Sequence, residues 1–240
     1  TADLTKEHFL SRGISYICFH YNMNGVTYTD DLGESMSFED FYAAVKDGAD
    51  VSTSQVTMGE YLEYFRRFLE EGKDILHVCL SSGISGSYGS ACLAAKELME
   101  EYPERKLYIV DSLGASSGYG LLMDTLADLR YSGMRIAELQ DRAEEHKMNI
   151  HLWFFSSDPT NYIKGGRISK TAGLVGSVLH ICPLLNMDNL GRLIPRQKVR
   201  TKNRVIKEIV DKMEQCADGG PDYSGKRYIS NSGCYEDERA

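Results

Sequence analysis

The residues best suited to chemistry stand in four short clusters. Ser81-Ser82-Gly83-Ile84-Ser85-Gly86-Ser87 sets four hydroxyls and two glycines between an apolar run and a helical stretch. A glycine-bearing turn that opens a helix directs backbone N–H groups outward, where they add to the helix dipole and favour a phosphate or carboxylate. Ser82 and Ser85 add hydroxyl donors, and Gly83 and Gly86 permit close approach. The same residues would also make an ordinary well-capped turn. The loop lacks the G-x-x-x-x-G-K-[ST] pattern of a nucleotide-binding P-loop and the G-x-S-x-G spacing of a nucleophile elbow. Thr53-Ser54-Gln55 offers three more hydrogen-bonding side chains, equally able to serve a turn. Lys164-Gly165-Gly166-Arg167 and Lys198-Val199-Arg200-Thr201 supply cations, read either as solvated surface or as forks for a carboxylate or phosphate.

The elements that must position these clusters follow from periodicity. Ile75–Leu80 and Leu107–Val110 read as short strands, each followed by a Ser/Gly loop and a helix, Tyr88–Tyr102 and the stretch closing near Tyr131. Strand, polar loop and helix repeated at this spacing indicate βαβ units and a parallel sheet. Ile14–Tyr21 reads as a further strand. Ser37 and Thr57 read as N-caps of helices Ser37–Val45 and Met58–Glu71, the second with Glu60 completing a capping box. Ile136–Lys147 is a third amphipathic stretch. Beyond it the texture changes: strand Ile150–Phe155, apolar Leu174–Leu185, a turn through Gly191, strand Leu193–Arg200, helix Lys202–Cys216, loop Asp218–Pro221 and strand Arg227–Ser230. The expected fold class is α/β with two α/β domains, residues 1–147 around a parallel sheet and 148–240 around a mixed one.

Composition narrows the function classes. The 240 residues carry 27 basic and 35 acidic side chains, a net charge of −8, which disfavours nucleic acid as a partner. No window approaches eighteen consecutive apolar residues, so no stable membrane insertion is expected. The start, Thr1-Ala2-Asp3, reads as neither a signal peptide nor an initiator, so the visible chain is expected to begin within a longer protein. Six scattered cysteines form no C-x-x-C pair and join no histidine at metal-ligand spacing, so no metal is expected, and a cytoplasmic location with reduced thiols is. His77 and His180 lie in apolar runs and read as core side chains; no catalytic residue is assigned.

The ordered set of motifs resembles the DegV family of bacterial fatty-acid-binding proteins. The pieces are Thr1-Ala2-Asp3-Leu4, Tyr28-Thr29-Asp30, Phe38-x-x-Phe41-Tyr42, Thr53-Ser54-Gln55, Ser81 through Tyr88 and Val110-Asp111-Ser112. Lys164 through Ile168, Pro183-Leu184-Leu185 and Lys198 through Thr201 complete it. The resemblance implies a long-chain fatty acid bound in or between two α/β domains, with no other cofactor. It implies that Thr53 and Ser82, or the adjacent Ser81, hold the carboxylate beside Gly83, with Arg167 and Arg200 near the head group. It further implies an ATP-dependent fatty acid kinase subunit as partner, acting in phospholipid synthesis. Kinase partners in the family carry a histidine where this chain has Asn231, and the resemblance implies a proline after Thr53-Ser54-Gln55 where this chain has Val56. The family's first strand would precede Thr1, and part of its C-terminal domain would follow Ala240.

Such a ligand is physically reasonable. Fourteen buried methylenes at about 0.8 kcal/mol each supply ~11 kcal/mol. Association costs of about 4–15 kcal/mol consume much of that, so the tail carries affinity and the head group carries orientation. Candidate tail liners are Leu174–Leu185 and the apolar positions of Leu121–Leu129. The competing reading is a serine-loop hydrolase or phosphotransferase acting on a small anionic substrate, which would need an activating base beside the nucleophile.

Overall fold

The computed structural model describes residues 1–169 and 181–216. Of the expectations above, Leu174–His180, Asp218–Pro221, Arg227–Ser230 and Asn231 lie outside the described residues. No helix among the described residues is long and apolar enough to cross a membrane.

The chain runs α1 (Lys6–Ser11), β1 (His20–Met23), β2 (Val26–Thr29), α2 (Phe38–Lys46), β3 (Val51–Ser54), α3 (Met58–Glu70), β4 (Ile75–Cys79) and α4 (Ser87–Glu101). It continues with β5 (Leu107–Asp111), α5 (Ser116–Tyr131), α6 (Ile136–His146), β6 (Trp153–Phe155) and α7 (Thr160–Lys164). β7 (Ile181–Met187), β8 (Leu193–Arg200) and α8 (Lys202–Cys216) complete the described chain.

β4 and β5 form a parallel pair in register from Ile75–Leu107 to Cys79–Asp111. Parallel strands are buried on both faces, and these alternate accordingly. Cys79 and Leu107 pack with Tyr61, Phe65 and Leu69 of α3 and Ala91, Ala94 and Leu98 of α4. Val78 and Val110 pack on the other face with Leu122 and Leu126 of α5 and Leu139 and Ala143 of α6. Ala91, Ala94 and Ala95 let α4 approach closely. α3 starts where the sequence places it: Thr57 accepts from Glu60 N, and the Glu60 carboxylate accepts from Thr57 N at 2.8 Å.

A second sheet, antiparallel in order β2-β1-β3, precedes the parallel pair. The strand expected over Ile14–Tyr21 begins only at His20. Residues 14–19 run instead along a cavity of about 830 Å³ that follows the outer edge of β4. Their β-forming side chains reflect burial beside an apolar wall, not ladder pairing. Among the described residues β4 pairs only with β5, and its other edge borders the cavity. Met123, Leu126 and Ala127 of the expected tail liners border this space.

The third sheet has the order β6-β7-β8 and is antiparallel throughout its described strands. One face packs Cys182, Leu184 and Val199 against Val205 of α8. The other gathers Ile168, Leu185 and Leu193, with Ile84 from the Ser/Gly loop packed against them. The register slips between Leu184 and Leu185, where Leu184 faces Gln197 and Leu185 faces Pro195. Proline lacks a ladder donor and is tolerated at such an irregularity.

Candidate functional site

The Ser/Gly loop leaves the end of β4 and docks on the turn between β7 and β8. Ser81 is fully buried; its Oγ donates to Gly191 O at 2.7 Å and accepts from Gly83 N at 3.1 Å. A methyl group on Gly83 would intrude on the carbonyls of Leu190 and Gly191, so this glycine is required by close approach. Ser82 N donates to Asp111 Oδ1 at 3.1 Å, and Ile84 N and Ser85 N donate to Ser81 O at 3.2 and 3.1 Å. The amides of 82–85 therefore face the protein, and the outward group at Ser82 is its hydroxyl. No hydrogen bond among the described residues uses that hydroxyl or the one on Thr53, and both residues are exposed.

Thr53 lies in β3 opposite Tyr21. Two residues on, Gln55 folds over the loop: its Nε2 donates to Ser90 Oγ at 3.1 Å, and its Oε1 occupies the space a Cβ on Gly86 would need. The structure thus brings the Thr53-Ser54-Gln55 triplet and the 81–87 loop together. The Lys164–Arg167 turn joins them from a third side. Lys164 Nζ pairs with Asp50 Oδ1 at 2.7 Å, just before β3, while the Arg167 guanidinium folds back to donate to Gly165 O at 2.5 Å. Arg200 is not brought to the loop turn. It ends β8 opposite Ile181, seven residues from Leu193 and so roughly 23 Å along the strand.

Two features here had no counterpart in the reading of the sequence. Asp111, quoted only as part of a motif, bonds the loops after both parallel strands. Gly191, read only as a turn residue, meets Ser81 across 110 positions. A third omission was local: Asn24-Gly25, with φ of +52° and +84°, turns β1 into β2, and Asn-Gly between strands is a hairpin signal.

No histidine among the described residues hydrogen-bonds a loop serine. His8 bonds Asp124 and His20 faces Glu60. His77 sits edge-on to Tyr61 and Phe65, centroids 5.3 and 5.1 Å away, and burial pushes its pKa down to about 4. Burial raises the Tyr61 phenol and the Cys79 thiol, leaving both protonated at neutral pH. No group of three or more metal-ligating side chains occurs among the described residues.

His77 makes stability pH-dependent. An unfolded histidine titrates near 6.5, so as pH falls from 6.5 toward 4 the unfolded chain takes up a proton that the folded chain refuses. The contribution is full above pH 6.5 and lost below it. The ring also borders the β4 cavity, and access to water there holds the expected loss to about 2 kcal/mol near pH 4. Urea denaturation at pH 7 and pH 4.5 checks this; His77→Phe should flatten the difference, and an unchanged difference would contradict the assignment.

The family model described as an uncharacterised protein of the DegV family matches residues 1–236. The DegV domain-containing protein YteA of Lactococcus lactis is 34% identical over 213 residues, 88% of this chain and 73% of that protein. Among solved structures, a DegV family protein from Thermus thermophilus described by its fatty acid binding has a TM-score of 0.80. It is 26% identical, covering 91% of this chain and 76% of that one. DegV of Bacillus subtilis, a fatty acid binding protein, has a TM-score of 0.74 and 27% identity over 90% of this chain and 74% of its own.

Proposed function

The chain belongs to the DegV family, and on that premise we propose that it binds a long-chain fatty acid whose carboxylate is held by the Thr53 and Ser82 hydroxyls. One observation carries this reading: Gln55 seats the triplet on the Ser/Gly loop while the Thr53 and Ser82 hydroxyls stay exposed and unused among the described residues. Hydrogen bonds to an ionised carboxylate are about twice as strong as neutral ones, so two hydroxyls suffice to orient a head group. Ser81 fits a structural role better than a ligand contact, since its hydroxyl is already committed on both sides. Ile84 points the loop at the apolar cluster of Ile168, Leu185 and Leu193. That direction suits the tail.

The hydrolase reading lacks a base: no histidine among the described residues hydrogen-bonds a serine of the loop. The reading extends to two domains, 1–147 and 148–240, a cytoplasmic location, no cofactor beyond the acid, and an ATP-dependent kinase subunit that receives it. The free thiols of Cys18, Cys79, Cys92 and Cys216 favour a reducing compartment.

Native mass spectrometry tests the proposal. Gently purified protein, or delipidated protein incubated with palmitate, should carry one acyl-chain mass; apo mass alone in both would overturn it. Thr53→Val with Ser82→Ala should weaken palmitate binding about thirtyfold, or ~2 kcal/mol, with the melting temperature held. Unchanged affinity would refute the head-group assignment. Acyl phosphate formed from ATP only when a kinase subunit is added would support the partner; turnover by this chain alone would favour the enzyme.

A further inference from the structure

We propose that Asp111 is a positioning residue, whose carboxylate fixes the orientation of Ser82 and thereby the discrimination of an acid head group from a neutral one; this role rests on the fatty-acid reading above. Asp111 ends β5 opposite Cys79 and is buried, 8% exposed. Its Oδ1 accepts from Ser82 N and from Leu113 N, each at 3.1 Å. Two backbone bonds, Ser81 N to Gly114 O at 3.0 Å and Ser112 N to Cys79 O at 3.2 Å, extend the contact beyond the strand ends. Leu113 has φ +49°, a left-handed conformation uncommon for a residue with a Cβ. Its Cα lies 3.1 Å from where a Cβ on Gly191 would sit, so it supports the turn that receives Ser81. One carboxylate oxygen therefore governs two loops that meet the third.

The consequence for Ser82 is directional. With its N–H bound behind the loop, the Cα–Cβ bond is fixed, and the hydroxyl is the group left to face solvent. Without that anchor the Ser82 peptide is free to rotate, and its hydroxyl loses a defined direction. A neutral head group asks little of that direction, whereas a carboxylate depends on it. The effect of Asp111 should therefore fall on acids and spare alcohols of equal length.

Calorimetric titration with dodecanoate and dodecan-1-ol separates these cases. Asp111→Ala is expected to weaken dodecanoate about tenfold and to leave dodecanol within about twofold of wild type. Asp111→Asn, whose Oδ1 still accepts two N–H groups, should return dodecanoate to within about threefold. Hydrogen exchange supplies a ligand-free readout: the Ser82 and Leu113 amides should lose protection in Asp111→Ala and keep it in Asp111→Asn. If Asp111→Ala does not fold, Asp111→Glu, which displaces the carboxylate by one methylene, carries the same expectations as Asp111→Ala. Equal weakening of acid and alcohol, unchanged acid affinity, or unchanged protection of Ser82 would overturn the positioning role alone. A wild-type chain that binds neither these compounds nor palmitate would overturn the fatty-acid reading, and this role with it.

Discussion

Alanine at Gly191 is expected to destabilise the protein by about 3 kcal/mol, through strain in a left-handed backbone and loss of a buried hydrogen bond. Gly191 has φ +66°, a conformation that costs an L-residue roughly 1–2 kcal/mol. The added Cβ would fall inside the contact radius of Ser81 Oγ, and 3.1 Å from Leu113 Cα. Displacing Ser81 breaks its 2.7 Å bond to Gly191 O in a fully buried setting, a loss of about 1–3 kcal/mol when a donor is stranded. Urea denaturation measures the sum. Ser81→Ala in the same chain removes the clashing oxygen, so the double mutant should be more stable than additivity predicts by about 1 kcal/mol. A Gly191→Ala chain within about 0.5 kcal/mol of wild type, the range of ordinary surface substitutions, would mean that the loop and turn do not meet in solution.

A comparable loss is expected from Asp124→Ala, far from the site. Asp124 projects from α5 with its side chain 5% exposed, and it holds Arg12 Nε at 2.8 Å and His8 Nε2 at 2.9 Å. Arg12 also pairs with Asp128, and the Arg130 guanidinium donates to Gly13 O at 3.1 Å and to Arg12 O. Asp124 is buried but Arg12 is 18% exposed and His8 37%, so the loss falls at the lower end of the about 3–5 kcal/mol that removing one member of a buried pair costs. Because Asp128 remains beside Arg12, the lower end, about 3 kcal/mol, is expected, lowering the melting temperature by roughly 6–12 °C. Asp124→Asn keeps an acceptor and should lose less. Thermal unfolding checks both; equal melting of Asp124→Ala and wild type would show that the pair is solvated.

Both effects arise where distant segments meet, and that is where the reading of the sequence thinned. Thr57 and Glu60 close a capping box within one turn, so type and spacing alone located the start of α3. Ile75–Cys79 and Leu107–Asp111 are short apolar runs bounded by turn residues, and they pair in parallel as the two strand–loop–helix units required. Residues 14–19 misled, because β-forming side chains report burial and say nothing of which neighbour supplies hydrogen bonds.

The amino-acid order by itself determined helices α2 to α6 and α8, the caps at Ser37 and Thr57, the parallel pair and the family, since each depends on residues a turn or a motif apart; it did not show α1 or α7. It also marked the Thr53 and Ser81–Ser87 clusters as hydrogen-bonding surfaces. Only the tertiary structure decided which hydroxyls are free. Ser81 and Ser82 are adjacent and chemically identical, yet one is spent on Gly191 and the other has its amide held by Asp111. Those partners lie 110 and 29 positions away, and local propensity carries no information about contacts at that range.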